Sequence, residues 1–288
     1  MSRLAAASSS RVRGRKACAQ RPSPQWTTKL ARTTTCLSAL LMAACATVSV
    51  PEVASTGEAA AGGAPIDAWA RVLDRYVDAR GLVDFPALAA QPGDLYRYVS
   101  YVAKLDPTSP EGGLDTPAER LAHYINAYNA LAMYGVVDLG LPATNAGLRK
   151  VRFFFLRRYR IGGEVQSLNA YETGIRALGE ERIHFALNCM SVSCPRLRRE
   201  PFEPETLDRV LQESAVEFFS SPMHLVVDDA TRTVRVSSIL SFYTGDFLAK
   251  SPTLIDYINR YRTQPIPADY RVEFLDYDWT INSSTPLR

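Results

Sequence analysis

Both ends of a long helix are written into the chain between Thr116 and Pro142. Thr116 can cap, Pro117 sits in the first turn where its missing N–H does no harm, and Glu119 completes a capping box. Gly140 and Pro142 then stop the segment, so a helix is predicted from Pro117 to about Leu139. Leu121, Ile125, Tyr128 and Ala132 recur at helical spacing and form one apolar stripe. Asn126 and Asn129 stand on the adjoining stripe, beside Met133 and Val136. Buried there, each amide must find hydrogen-bond partners, in nearby loop backbone or in a pocket.

Elements of both kinds surround this helix. Tyr159-Arg160-Ile161 and Glu164-Val165-Gln166 flank Gly162-Gly163, a hairpin signal, and Leu225–Val227 and Val234–Val236 form a second around Asp228-Asp229. Further helices are predicted from Asp67 to Arg80-Gly81, from Ser167 to near Gly179, from Glu205 to Phe219 and from Thr253 to Tyr261. Ile183–Leu187 reads as a strand, Asn188–Pro201 as a loop, and Val272–Ile281 as an alternating terminal strand. Helices and hairpins without a βαβ rhythm predict an α+β fold, with several helices packed on short antiparallel strands and hairpins.

The segment before residue 65 has a different character. From Met1 to Cys45 there are eight Lys or Arg and no Asp or Glu, and the remainder carries 25 basic against 30 acidic residues. The basic character therefore belongs to the leader, and a body at −5 gives no electrostatic reason to expect a nucleic-acid partner. Leu37–Ala44 is an apolar run behind a basic segment, too short to span a bilayer, which is the layout of a secretory signal. Met42-Ala43-Ala44-Cys45 resembles the bacterial lipobox, with Met where Leu is usual. That resemblance implies lipidation of Cys45 and a partner in the membrane through that lipid. Plain secretion and an organelle transit peptide are the rival readings. The expected organisation is a leader over 1–44, a lipid-anchored flexible tether over 45–64 and one domain over 65–288.

Chemistry-bearing residues concentrate between Arg182 and Pro195. His184, Asn188, Cys189, Ser191, Ser193 and Cys194 crowd a segment expected to leave a buried strand. His184-Phe185-Ala186-Leu187-Asn188-Cys189 with Ser193-Cys194-Pro195, together with Tyr124-Ile125-Asn126-Ala127-Tyr128-Asn129-Ala130, resembles the domain of unknown function 547 family. Ser167-Leu168 with Glu172, and Tyr277-Asp278-Trp279-Thr280-Ile281-Asn282, are similar to that family's segments. The resemblance runs from about Trp69 to Asn282 and implies one domain. It implies no established activity.

Three readings of the cluster stay open. In the first, Cys189 or Cys194 is a nucleophile activated by His184, in a cysteine-dependent hydrolase or acyl transferase acting on envelope material. Strand alternation would point His184 and Cys189 apart, while Cys194 could return to His184. In the second, the two cysteines form a disulfide that staples a binding module. In the third, the cluster is structural. Asn126, Asn129, Glu172, Arg182, Asn188, Ser191 and Ser193 are candidate pocket-lining residues around His184. No cofactor is implied, and Cys-x4-Cys with one histidine is not a familiar metal pattern.

Overall fold

The helix read between Thr116 and Pro142 is α4, Pro117–Asp138. The Glu119 N–H donates to the Thr116 hydroxyl and the Thr116 N–H donates to the Glu119 carboxylate, which closes the capping box. From Ala122 to Val136 nearly every side chain of α4 is buried, so it is a core helix covered on all sides. Its covering comes from α2 (Phe85–Ala90), α3 (Gly93–Lys104) and α6 (Leu168–Arg176), with α1 (Pro65–Tyr76) laid on α3. The computed structural model describes residues 64–287, all within one compact unit. The leader, the tether and Cys45 lie outside the described residues. Among the described residues no helix is long and apolar enough to cross a membrane.

The first hairpin is present as β1 (Tyr159–Ile161) and β2 (Glu164–Gln166), paired antiparallel with Tyr159 opposite Gln166. Gly162 and Gly163 both hold positive φ, at 59° and 85°, as a tight two-residue hairpin turn demands. Before it, a helical segment absent from the sequence reading links α5 (Leu148–Val151) to a π-helical turn, Arg152–Leu156.

A second core cluster is built on α7 (Leu207–Ser220), β3 (Leu225–Asp228), β4 (Thr233–Ser237), α8 (Ile239–Phe242), α9 (Thr244–Leu248), α10 (Leu254–Asn259) and β5 (Arg271–Leu275). Its buried aromatic centre includes Phe185, Phe218, Phe219, Phe247 and Tyr257. The strand order is β3-β4-β5; β3 and β4 are antiparallel, while β5 lies parallel to β4. The fold is α+β, as expected, but this sheet is mixed rather than purely antiparallel.

Two strand expectations are corrected. Ile183–Leu187 is not a strand: Glu181–Phe185 forms a 3-10 helix, with Glu180 accepting from the Arg182 N–H at its start. A short buried apolar run has no periodicity that separates strand from helix, and Ile183 and Phe185 are buried in two different clusters. The terminal strand stops at Leu275. Beyond it the chain leaves β4 and makes isolated bridges, Thr280 to Thr144, Ile281 to Ser191 and Ser283 to Val83.

Candidate functional site

The correction at Ile183–Leu187 decides where His184 points. His184 stands on the 3-10 helix and Leu187 two residues beyond its end. Both line a pocket with the Cys189–Cys194 segment. The backbone here is strung from two asparagines. Asn129 on α4 donates its Nδ2–H to Ala186 O (3.0 Å) and its Oδ1 accepts the Asn188 N–H (2.7 Å). Asn188 donates to Pro195 O (2.7 Å) and accepts the Met190 N–H (2.7 Å), clamping both ends of the loop. Buried Met190 is thereby held in the left-handed region, φ 61°, where a residue with a Cβ is strained by roughly 1–3 kcal/mol.

Cys189 and Cys194 form a disulfide, with Cα atoms 6.3 Å apart. The Tyr277 hydroxyl sits against both sulfurs, 3.4 Å from Cys189 Sγ and 3.1 Å from Cys194 Sγ. The segment carrying Tyr277 is fastened to the loop: Val192 N–H donates to Thr280 O, Asn282 N–H to Met190 O, and Asp278 N–H to Ser193 Oγ.

The pocket is a cavity of about 160 Å³. One wall is aromatic, from Phe242, Tyr277 and Trp279, whose rings lie 4.4–6.4 Å apart. Two polar centres face them. Glu172, from α6, accepts from the Tyr128 hydroxyl at Oε2 (2.8 Å) and from the Tyr243 hydroxyl at Oε1. Burial pushes its carboxyl above the ordinary range, and the two tyrosine hydrogen bonds oppose that shift without cancelling it. The second centre is His184, stacked on Tyr243 at 4.1 Å with Nε2 2.8 Å from Asp246 Oδ2.

Asp246 is in turn gripped by Arg176, Nε to Oδ2 at 2.7 Å and Nη2 to Oδ1 at 3.0 Å. That guanidinium holds the Asp246 carboxyl below its usual value. Burial lowers His184 to about 4 against the pull of Asp246, so the imidazole is neutral at neutral pH. A carboxylate only accepts, so Nε2 carries the proton and Nδ1 keeps its lone pair for a group in the pocket. An imidazole oriented by a carboxylate can move a proton at Nδ1, and a carboxyl raised by burial can hold a cation or a proton. As a disulfide, neither Cys189 nor Cys194 is a thiolate.

Of the ten candidate residues read from the body's sequence, Glu172, His184, Cys189 and Cys194 line this pocket. The others stand outside it. Asn126 donates to Phe202 O (2.8 Å) and accepts from Phe202 N–H (2.9 Å) and Trp69 Nε1–H (3.3 Å), beside a different cavity. Asn129 is spent on the backbone bonds given above. Arg182 pairs with Glu180 and Asp208, both at 2.8 Å, and not with Glu172. Asn188 and Ser191 line a separate cavity that shares Cys194 and Pro195 with the pocket, and Ser193 fastens the C-terminal segment. Asp246, Tyr243 and Lys150 carried no sequence signal, and Tyr128 and Trp279 read as ordinary core residues. Among the described residues no group of three or more His, Cys, Asp or Glu is placed to hold a metal ion.

With Glu172, His184 and the disulfide in one place, the comparison with known families locates the stretch that supplies them. Residues 113–219 match DUF547, described as a protein of unknown function. The DUF547 match covers both asparagines, Glu172, His184 and both body cysteines, and ends before Tyr243, Asp246, Tyr277 and Trp279. No curated protein and no solved structure matches the chain.

Proposed function

We propose that the chain is an envelope lipoprotein, held to a membrane by a lipid on Cys45, whose disulfide-stapled domain binds a small ligand bearing a protonated amine. Glu172 carries this reading. Both its oxygens face tyrosine hydroxyls, and the neighbouring guanidinium of Arg176 spends its hydrogen bonds on Asp246. A desolvated carboxylate without a bonded cation is costly, and a ligand ammonium supplies the missing partner. The aromatic wall suits an apolar body attached to that amine, because ring faces attract cations and pack flat groups. The disulfide supports recognition over nucleophilic chemistry, since an oxidised sulfur pair has no thiolate to attack with.

One observation favours a second reading. The Asp246–His184 pair beside two cysteines is the arrangement that activates a thiol, so reduction of the disulfide would open cysteine-dependent hydrolysis or acyl transfer. The two readings separate in a binding experiment on the oxidised protein. Isothermal titration calorimetry with phenethylamine should show binding, with phenethyl alcohol far weaker. Glu172→Gln should weaken the amine by about tenfold to a hundredfold, the worth of one charge-assisted hydrogen bond. Equal affinity for amine and alcohol, or amine binding untouched by Glu172→Gln, would overturn the amine reading.

A further inference from the structure

The body's net charge of −5 conceals a local reversal. Between Asp138 and Glu164 there is no acidic residue, while Arg149, Lys150, Arg152, Arg157, Arg158 and Arg160 are all basic. Arg157 is buried and pairs with Asp138. Arg149, Arg152 and Arg158 make no ion pair with any described residue, and the first two are exposed. Apolar side chains stand among these cations. Leu148 is 88% exposed, Leu156 49%, Phe155 45% and Val151 43%, all on the helical segment formed by α5 and the π-helical turn. Phe153 and Phe154 of the same segment are buried and root it in the domain.

We propose that residues 147–158 dock on an anionic bilayer surface, with Leu148, Val151 and Phe155 entering the interface and the arginines meeting lipid phosphates. A short helix with large apolar side chains on the outside and unpaired Arg around them has the make-up of an interfacial membrane anchor. A soluble surface gains nothing from four large apolar residues exposed within nine positions. Charge complementarity selects the partner. Three unpaired guanidiniums with no carboxylate nearby in the chain suit phosphate-rich surfaces, and each contributes near an anionic bilayer. The body's net charge averages this patch with acidic residues elsewhere in the chain. The patch also borders the candidate pocket: Lys150 and Phe155 line its mouth, and Lys150 Nζ lies 4.3 Å from the Trp279 ring centre. Docking would therefore present the mouth to the bilayer, whatever ligand the pocket takes.

The leader is itself basic and apolar, so sedimentation of the chain with vesicles is not enough and the readout must be local. Hydrogen–deuterium exchange is followed on the full chain with vesicles of equal parts phosphatidylglycerol and phosphatidylcholine, and with phosphatidylcholine alone. Slower exchange of 147–158 on the anionic vesicles, absent on the neutral ones, is the expected result. Arg149→Glu with Arg152→Glu, and separately Leu148→Ser with Phe155→Ser, should abolish it while leaving the melting temperature unchanged. Each unit of charge at the surface is worth about fivefold, so the two reversals, four units in all, should weaken local docking by roughly several-hundredfold. Unchanged exchange of 147–158 in chain that sediments with the vesicles would overturn the proposal, leaving attachment to the leader alone. So would equal protection on neutral vesicles, or protection that grows with protein concentration when no vesicle is present.

Discussion

Replacing Asn129 by alanine should unfasten the pocket from the core helix. Its amide satisfies two buried backbone groups, Ala186 O at 3.0 Å and Asn188 N–H at 2.7 Å. Neither group has water to turn to, since Asn129 and Asn188 are each 2% exposed and Ala186 is 6% exposed. Leaving a buried donor or acceptor unsatisfied costs about 1–3 kcal/mol, so two should cost about 2–6 kcal/mol. For a domain of this size each kcal/mol moves the midpoint by about 2–4 °C, which puts the loss at roughly 4–24 °C. Urea and thermal unfolding of Asn129→Ala against the native chain measure it. Ser193→Ala is the control: it removes one hydrogen bond at a half-exposed site and should cost about 1 kcal/mol or less. A loss below about 1 kcal/mol for Asn129→Ala would refute the reasoning, because it would show that the loop backbone finds other partners.

The pH response of Glu172 has a definite sign. A carboxyl raised above its ordinary 4.5 contributes full stability below that value and loses it as pH rises through the raised one. Glu172→Gln cannot ionise, so its melting temperature relative to the native chain should climb as pH rises above 4.5, and a flat or falling difference would count against the buried-carboxyl account. Cys189 and Cys194 should resist iodoacetamide until a dithiol reduces them, and Cys189→Ser with Cys194→Ser should cost about 2 kcal/mol through so short a loop. Labelling of either residue without reductant would exclude the staple. Cys45→Ser should release the protein from membranes on fractionation, apart from any vesicle contact through 147–158. Unchanged association of a variant also lacking that patch would remove the lipid anchor.

Local signals carried the fold where they were strong. The capping box at Thr116–Glu119 and the Gly162-Gly163 turn specify their elements through backbone chemistry within a few residues, and both are present. Ile183–Leu187 misled because its residues are buried in two clusters, so no alternation or helical stripe exists to read. Val272–Ile281 does alternate, yet Tyr277–Ser283 takes its partners from distant loops that only the folded chain brings near. The site divides the same way. His184, Glu172 and the cysteines were legible as polar residues in apolar surroundings. The asparagines beside them looked equally functional, and only their backbone partners show them to be ties. Asp246 lies 62 residues from His184 in a segment without periodicity, so nothing in the sequence joins the two.

The most direct test of the pocket is the titration of Glu172 itself. Carbon-13 NMR of its side-chain carboxyl follows the group that the amine reading depends on, free and with saturating phenethylamine. In the free protein the carboxyl should titrate above its ordinary value, and bound amine should draw it down, because an ammonium in contact favours the charged form. A titration that phenethylamine leaves unmoved, in a protein that binds the amine by calorimetry, would place the ligand elsewhere and contradict the site described above.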